Sequence, residues 1–90
     1  MKLHTFRIRI ADEPGELARV TGVFAGRGLN IDRLNVAPTE EPDVSEIVLV
    51  TLAAERVAGQ VIKQLQRLVR VQSVDVLIEP QSARMPVLSK

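Results

Sequence analysis

Apolar residues recur at every second position near the start of the chain, then at every third or fourth, and the two spacings alternate to its end. In residues 3–11, LHTFRIRIA, Phe6, Ile8 and Ile10 share one side and Arg7 and Arg9 the other, the alternation of a half-buried strand. Leu17, Val20, Phe24 and Ala25 then follow helical spacing, with Arg19 and Arg27 off the stripe, which predicts a helix over about 14–27. Pro14 suits its first turn, Asp12 or Glu13 its acidic N-cap, and Gly28 a left-handed stop. Ile31, Leu34 and Val36 predict a strand over 30–37; Ile31 and Leu34 differ in parity, so a bulge is expected near Asp32 or Arg33. PTEEPDV (38–44) reads as a turn between antiparallel strands. SEIVLVTLA (45–53) is apolar on both faces and so needs cover on both.

A second helix is predicted over about 55–69, with Val57, Val61, Ile62, Leu65, Leu68 and Val69 as its stripe, and a last strand over 71–79, with Val74, Val76 and Ile78 on one face. The order βαββαβ predicts an α+β, ferredoxin-like sandwich: a four-stranded antiparallel sheet with both helices on one face. Residues 1–79 form one domain on this reading. The tail 80–90, with two prolines and no period, is expected to be mobile or docked on a partner.

Composition narrows the classes. A chain of 90 residues buries only about two-thirds or less of its unfolded surface, so self-association would stabilise it. A net charge of +1 gives no bulk attraction to nucleic acid or membrane. The absence of cysteine excludes disulfides and thiolate metal sites. No segment has the apolar run of a signal peptide or a membrane span, and a soluble cytoplasmic protein is the expectation.

The candidate chemistry lies in Asp12–Asn30. Unpaired N–H groups at a helix N-terminus attract a carboxylate, and Gly15 lets a ligand approach the backbone. Asp12 and the amide of Asn30 could meet an ammonium group, and Leu17, Leu29 and Ile31 would favour an aliphatic side chain, which together describe a free amino acid. The same residues also serve turns and caps without a ligand. A nucleic-acid module would need stacking aromatics, and the chain has two Phe, no Tyr and no Trp. An enzyme would need a tuned acid–base pair. His4, the one histidine, reads as a solvated strand residue without a partner, and Arg7 and Arg9 as a solvated strand face. Glu40, Glu41 and Asp43 cluster in a turn without a histidine, and Arg67 and Arg70 suit the C-terminal dipole of the second helix or contact with a partner protein.

Residues 6 to about 76 resemble an ACT domain, and the segments RGLNI, NVAPT and KQLQRLV resemble the small regulatory subunit of acetolactate synthase (acetohydroxyacid synthase). The resemblance implies a non-catalytic homodimer with sheets joined side by side and valine or another branched-chain amino acid at the dimer interface. It also implies a large catalytic partner that carries thiamine diphosphate, Mg²⁺ and FAD, with no cofactor in this chain. Carried over by position, Asp12, Gly15, Glu16 and Asn30 fall on the effector loop and its facing strand, flanked by Leu17 and Ile31. The family usually has Asn at the position of Asp12, a small or apolar residue at Glu16 and a small hydroxyl residue at Arg33. A stand-alone amino-acid sensor of the ACT type is the alternative, and an RNA-binding ferredoxin-like module a more distant one.

Overall fold

A computed structural model describes residues 1–80. Its elements are β1 (Lys2–Ala11), α1 (Glu16–Gly26), β2 (Ile31–Pro38), β3 (Val44–Ala53), α2 (Glu55–Gln66) and β4 (Val71–Pro80). The expected tail, 80–90, lies outside the described residues apart from the backbone of Pro80.

The strands form one antiparallel sheet in the order β2-β3-β1-β4. β1 and β3 are central, and their register pairs Phe6 with Leu49 and Ile8 with Ile47. These four side chains are completely buried under the helices. Phe24 of α1 meets Phe6 edge to face at 4.9 Å, a geometry aromatic rings favour. Val20 and Val23 of α1 and Ala58, Val61 and Leu65 of α2 complete the core.

The other face of β3 carries Val48, Val50 and Leu52, all half-buried, so this strand is apolar on both sides as expected. Toward one end of that face the sheet turns ionic. Arg7 Nε lies 3.0 Å from Glu46, and Arg9 reaches Glu40 at 3.1 Å and Glu46 at 3.5 Å. Arg7 and Arg9 are therefore cross-strand ion partners on a solvated face.

Local chemistry explains the boundaries. α1 ends in a Schellman closure: Gly28 takes φ +73°, its N–H bonds the Ala25 carbonyl, and the Leu29 N–H bonds that of Phe24. The register of β2 against β3 slips between Ile31 and Arg33, the bulge that the parity of Ile31 and Leu34 required. The β2–β3 hairpin is closed by Thr39, whose hydroxyl donates to the Val44 carbonyl, and by Asp43, which takes φ +65°.

Several expectations are corrected. α1 begins at Glu16 and not at Pro14, with Gly15 as its N-cap; neither Asp12 nor Glu13 caps it. Val23 replaces Ala25 on the buried stripe, because Ala25 is exposed. α2 stops at Gln66, and Val69 leaves its stripe for solvent, at 88% exposure. His4 is completely buried, pairs with Thr51 across the sheet, and holds Nδ1 2.9 Å from the Lys2 carbonyl. Its Nε2 has no hydrogen-bond partner among the described residues.

Phe24→Ala should lower stability by about 3–5 kcal/mol, the usual cost of removing a buried aromatic ring, as measured by urea denaturation. The Arg9 hydrogen bond and charge hold the Glu40 carboxyl below its ordinary 4.5. A depressed carboxyl contributes stability that is present above its unfolded value and is lost as pH falls through its folded value. Melting temperature should therefore drop as pH falls below 4.5, less steeply in Glu40→Gln and less steeply in high salt.

Candidate functional site

The loop between β1 and α1 is built on Gly15, at φ +86°. A Cβ there would meet nothing within 4 Å, so the backbone faces open space. Asp12 is anchored by its N–H to the Asp43 carbonyl at 2.8 Å, which ties the loop to the β2–β3 hairpin. The Glu16 N–H bonds the Glu13 carbonyl, and the Arg19 N–H bonds that of Gly15. The intervening amides, of Leu17 and Ala18, have no partner among the described residues. They are the unpaired donors of a helix N-terminus, with the dipole behind them.

Asn30 lies elsewhere. Its carbonyl accepts a 2.6 Å hydrogen bond from Thr51, and Thr51 pairs with His4 at the start of β1. Asp12 follows Ala11 at the end of β1. The intervening length of strand, from the level of His4 to Asp12, puts the two about 26 Å apart at 3.3 Å per residue. The expectation that the loop and the start of the second strand border one site is therefore not met within one chain. β2 runs parallel to β1, both being antiparallel to β3, so its start lies at the end of the sheet away from the loop. Asn30 is exposed and its side-chain amide approaches Asp32 at 3.4 Å; Ile31 is half-buried against the core.

The helix also separates Glu16 from Leu17. At 100° per residue Glu16 and Arg19 project from one flank of α1 and Leu17 from the other. Glu16 and Arg19 line a cleft of about 440 Å³ with Glu13 and with Arg67 and Arg70 of the turn after α2. Arg70 Nε is 3.2 Å from Glu13, and Arg19 Nε 3.8 Å from Glu16. Arg67 supplies the backbone C-cap of α2, while the Arg70 side chain turns to this ion pair. Leu17 is partly exposed on the opposite flank. Sequence reasoning placed Glu16 beside Asp12 and missed this cleft; the polar residue at a buried helical phase was the available signal.

Among the described residues no group of three His, Cys, Asp or Glu side chains could hold a metal ion. No helix among them is long and apolar enough to cross a membrane.

The β2-β3-β1-β4 sheet with two helices on one face is the ferredoxin-like arrangement of an ACT domain. A family model described as "AHAS small subunit-like ACT domain" matches residues 6–73, and the chain belongs to that family. The chain is 41% identical over 76 residues to the probable acetolactate synthase small subunit of Archaeoglobus fulgidus, an overlap of 84% of this chain and 48% of that protein. It is 43% identical over 70 residues to the small subunit of acetolactate synthase isozyme 3 of Escherichia coli, covering 78% of this chain and 43% of that one. The crystal structure of the small subunit from Thermotoga maritima superposes with a TM-score of 0.76 at 29% identity, over 84% of this chain and 47% of that one. The chain thus spans about half the length of the curated relatives it matches.

Gly15→Ala should cost about 1–2 kcal/mol through backbone strain alone, because its φ of +86° disfavours a Cβ that has room around it. Urea denaturation should show that loss with an unchanged amide spectrum away from the loop.

Proposed function

We propose that this chain is the effector-binding ACT unit of a regulatory, non-catalytic small subunit of acetolactate synthase. It works as a homodimer in the cytoplasm and binds a branched-chain amino acid such as valine. Its target is a large catalytic subunit that carries thiamine diphosphate, Mg²⁺ and FAD, whose activity it raises and subjects to feedback inhibition.

The observation that carries this reading is the position of Asp12 and Asn30 at opposite ends of a sheet whose edge strand is β2. Pro38, at the end of β2, pairs with Ser45 and lies level with Ile10, close to the Asp12 loop. A two-fold axis through the middle of β2 sets two such strands antiparallel, the start of one beside the end of the other. Asn30 and Ile31 of one copy then approach Asp12, Gly15 and Leu17 of the second. Leu34 and Val36, on the helix side of β2 and 43% and 42% exposed, gain cover in the same step. Burying what remains of each contributes on the order of 1 kcal/mol.

In that composite pocket the free amides of Leu17 and Ala18 receive the effector's carboxylate. Asp12 and the side-chain carbonyl of Asn30 accept from its ammonium group. Leu17 and Ile31 flank the aliphatic side chain. Glu16 faces the far flank of α1, so its charge does not sit against the effector's carboxylate. Asp12, in place of the asparagine usual in the family, adds a negative charge and favours the ammonium end.

Three results test the reading. Leu34→Lys should convert the dimer to a monomer in sedimentation velocity while the chain stays folded. Millimolar valine, leucine or isoleucine should raise the melting temperature of the dimer, since a ligand that binds only the native state must stabilise it. The catalytic subunit should co-purify with the chain and form acetolactate faster in its presence. Absence of any thermal shift removes the effector but leaves the subunit assignment, which rests on co-purification.

A further inference from the structure

The cleft on the far flank of α1 has unmet requirements of its own. Glu16 is 5% exposed, and its Oε1 has no hydrogen-bond partner among the described residues. The 3.8 Å approach of Arg19 is an electrostatic contact beyond hydrogen-bond reach. A buried carboxylate oxygen left without a donor is uncommon in folded proteins, because desolvation without a compensating bond is costly. The cleft therefore offers an acceptor.

It also offers a cation. Arg70 is matched by Glu13 and Arg19 by Glu16, whereas Arg67 has no ion pair among the described residues. Three guanidinium groups against two carboxylates leave one positive charge over. Guanidinium binds carboxylate in a planar, two-pronged geometry. Leu68 and the exposed Val69 add a short apolar wall. The cavity, about 440 Å³, lies within the range of small-molecule sites.

We propose that this cleft is a second small-molecule site, separate from the effector pocket, which takes a small carboxylate bearing an α-hydroxyl or α-ammonium group. The carboxylate lies on Arg67 and the neighbouring donor supplies the bond that Glu16 lacks. Binding ties Glu16 of α1 to the turn 67–70, which already meets the loop before α1 through the Arg70–Glu13 pair.

The test is an amide-shift titration of the ¹⁵N-labelled full chain with L-lactate, L-alanine and pyruvate, which share a carbon skeleton. Lactate brings a hydroxyl donor, alanine an ammonium donor, and pyruvate none. Lactate or alanine should shift the amides of Glu16, Leu68, Val69 and Arg70 in a saturable way in the millimolar range, as a few exposed charge-assisted bonds allow. Which of the two acts identifies the donor. Pyruvate should bind about tenfold more weakly, because Glu16 stays unsatisfied. Arg67→Gln, at an exposed position that the fold tolerates, should weaken lactate or alanine binding about tenfold.

No saturable shift with lactate or alanine overturns the proposal, and so does pyruvate binding as tightly as both. The amides of Asn30 and Ile31 report separately on the dimer pocket. A chain that answers valine there and nothing at Glu16 refutes this site alone.

Discussion

The row of β2 backbone N–H and C=O groups along its outer edge has no partner strand among the described residues. β1 and β3 spend their hydrogen bonds on neighbours on both sides, while β2 bonds β3 on one side only. An open edge of this kind is a template for another strand. The sheet has a second edge, β4, but Asn30 and Ile31 sit on the β2 side. In the proposed dimer, a two-fold partner on β2 brings them to a second copy's Asp12 loop. The proposed function depends on that constraint more than on any side chain.

The rest of the fold serves to present this edge and the loop beside it. Phe6, Ile8, Ile47 and Leu49 fix β1 on β3, and the Phe6–Phe24 contact fixes α1 above them. With α1 so placed, its N-terminus stands above the end of β1, where Gly15 allows the reversal. The Asp12–Asp43 backbone bond then couples the loop to the hairpin that ends β2. Loop and hairpin are thus tied together, and in the proposed dimer that bond links a ligand at the loop to the interface.

Much of this was legible in the residues. The alternation in 3–11 and 45–53, the two helical stripes and the parity change at Asp32 defined the topology and the bulge, because period and parity are local properties. The glycine stop at Gly28 was legible for the same reason. What was not legible depended on direction in space. Spacing along the chain cannot say that Asn30 and Asp12 lie at opposite ends of a sheet, since that follows from β2 running parallel to β1. Nor can it say that Glu16 turns to Arg67–Arg70 while Leu17 turns away, which needs the phase of α1 against α2. His4 read as solvated because it lies near the terminus with no evident partner, yet its parity with Phe6 and Ile8 places it on the buried face.

The shared-pocket claim can be tested by mixing two damaged chains. One carries an altered Asp12 and an intact Asn30, the other the reverse, and each alone should bind no valine by calorimetry. In a mixed dimer one pocket joins both damaged halves and the other joins both intact ones. Binding should return with one valine per mixed dimer. Mixed dimers that form but bind no valine, where the unaltered chain does bind it, would contradict it.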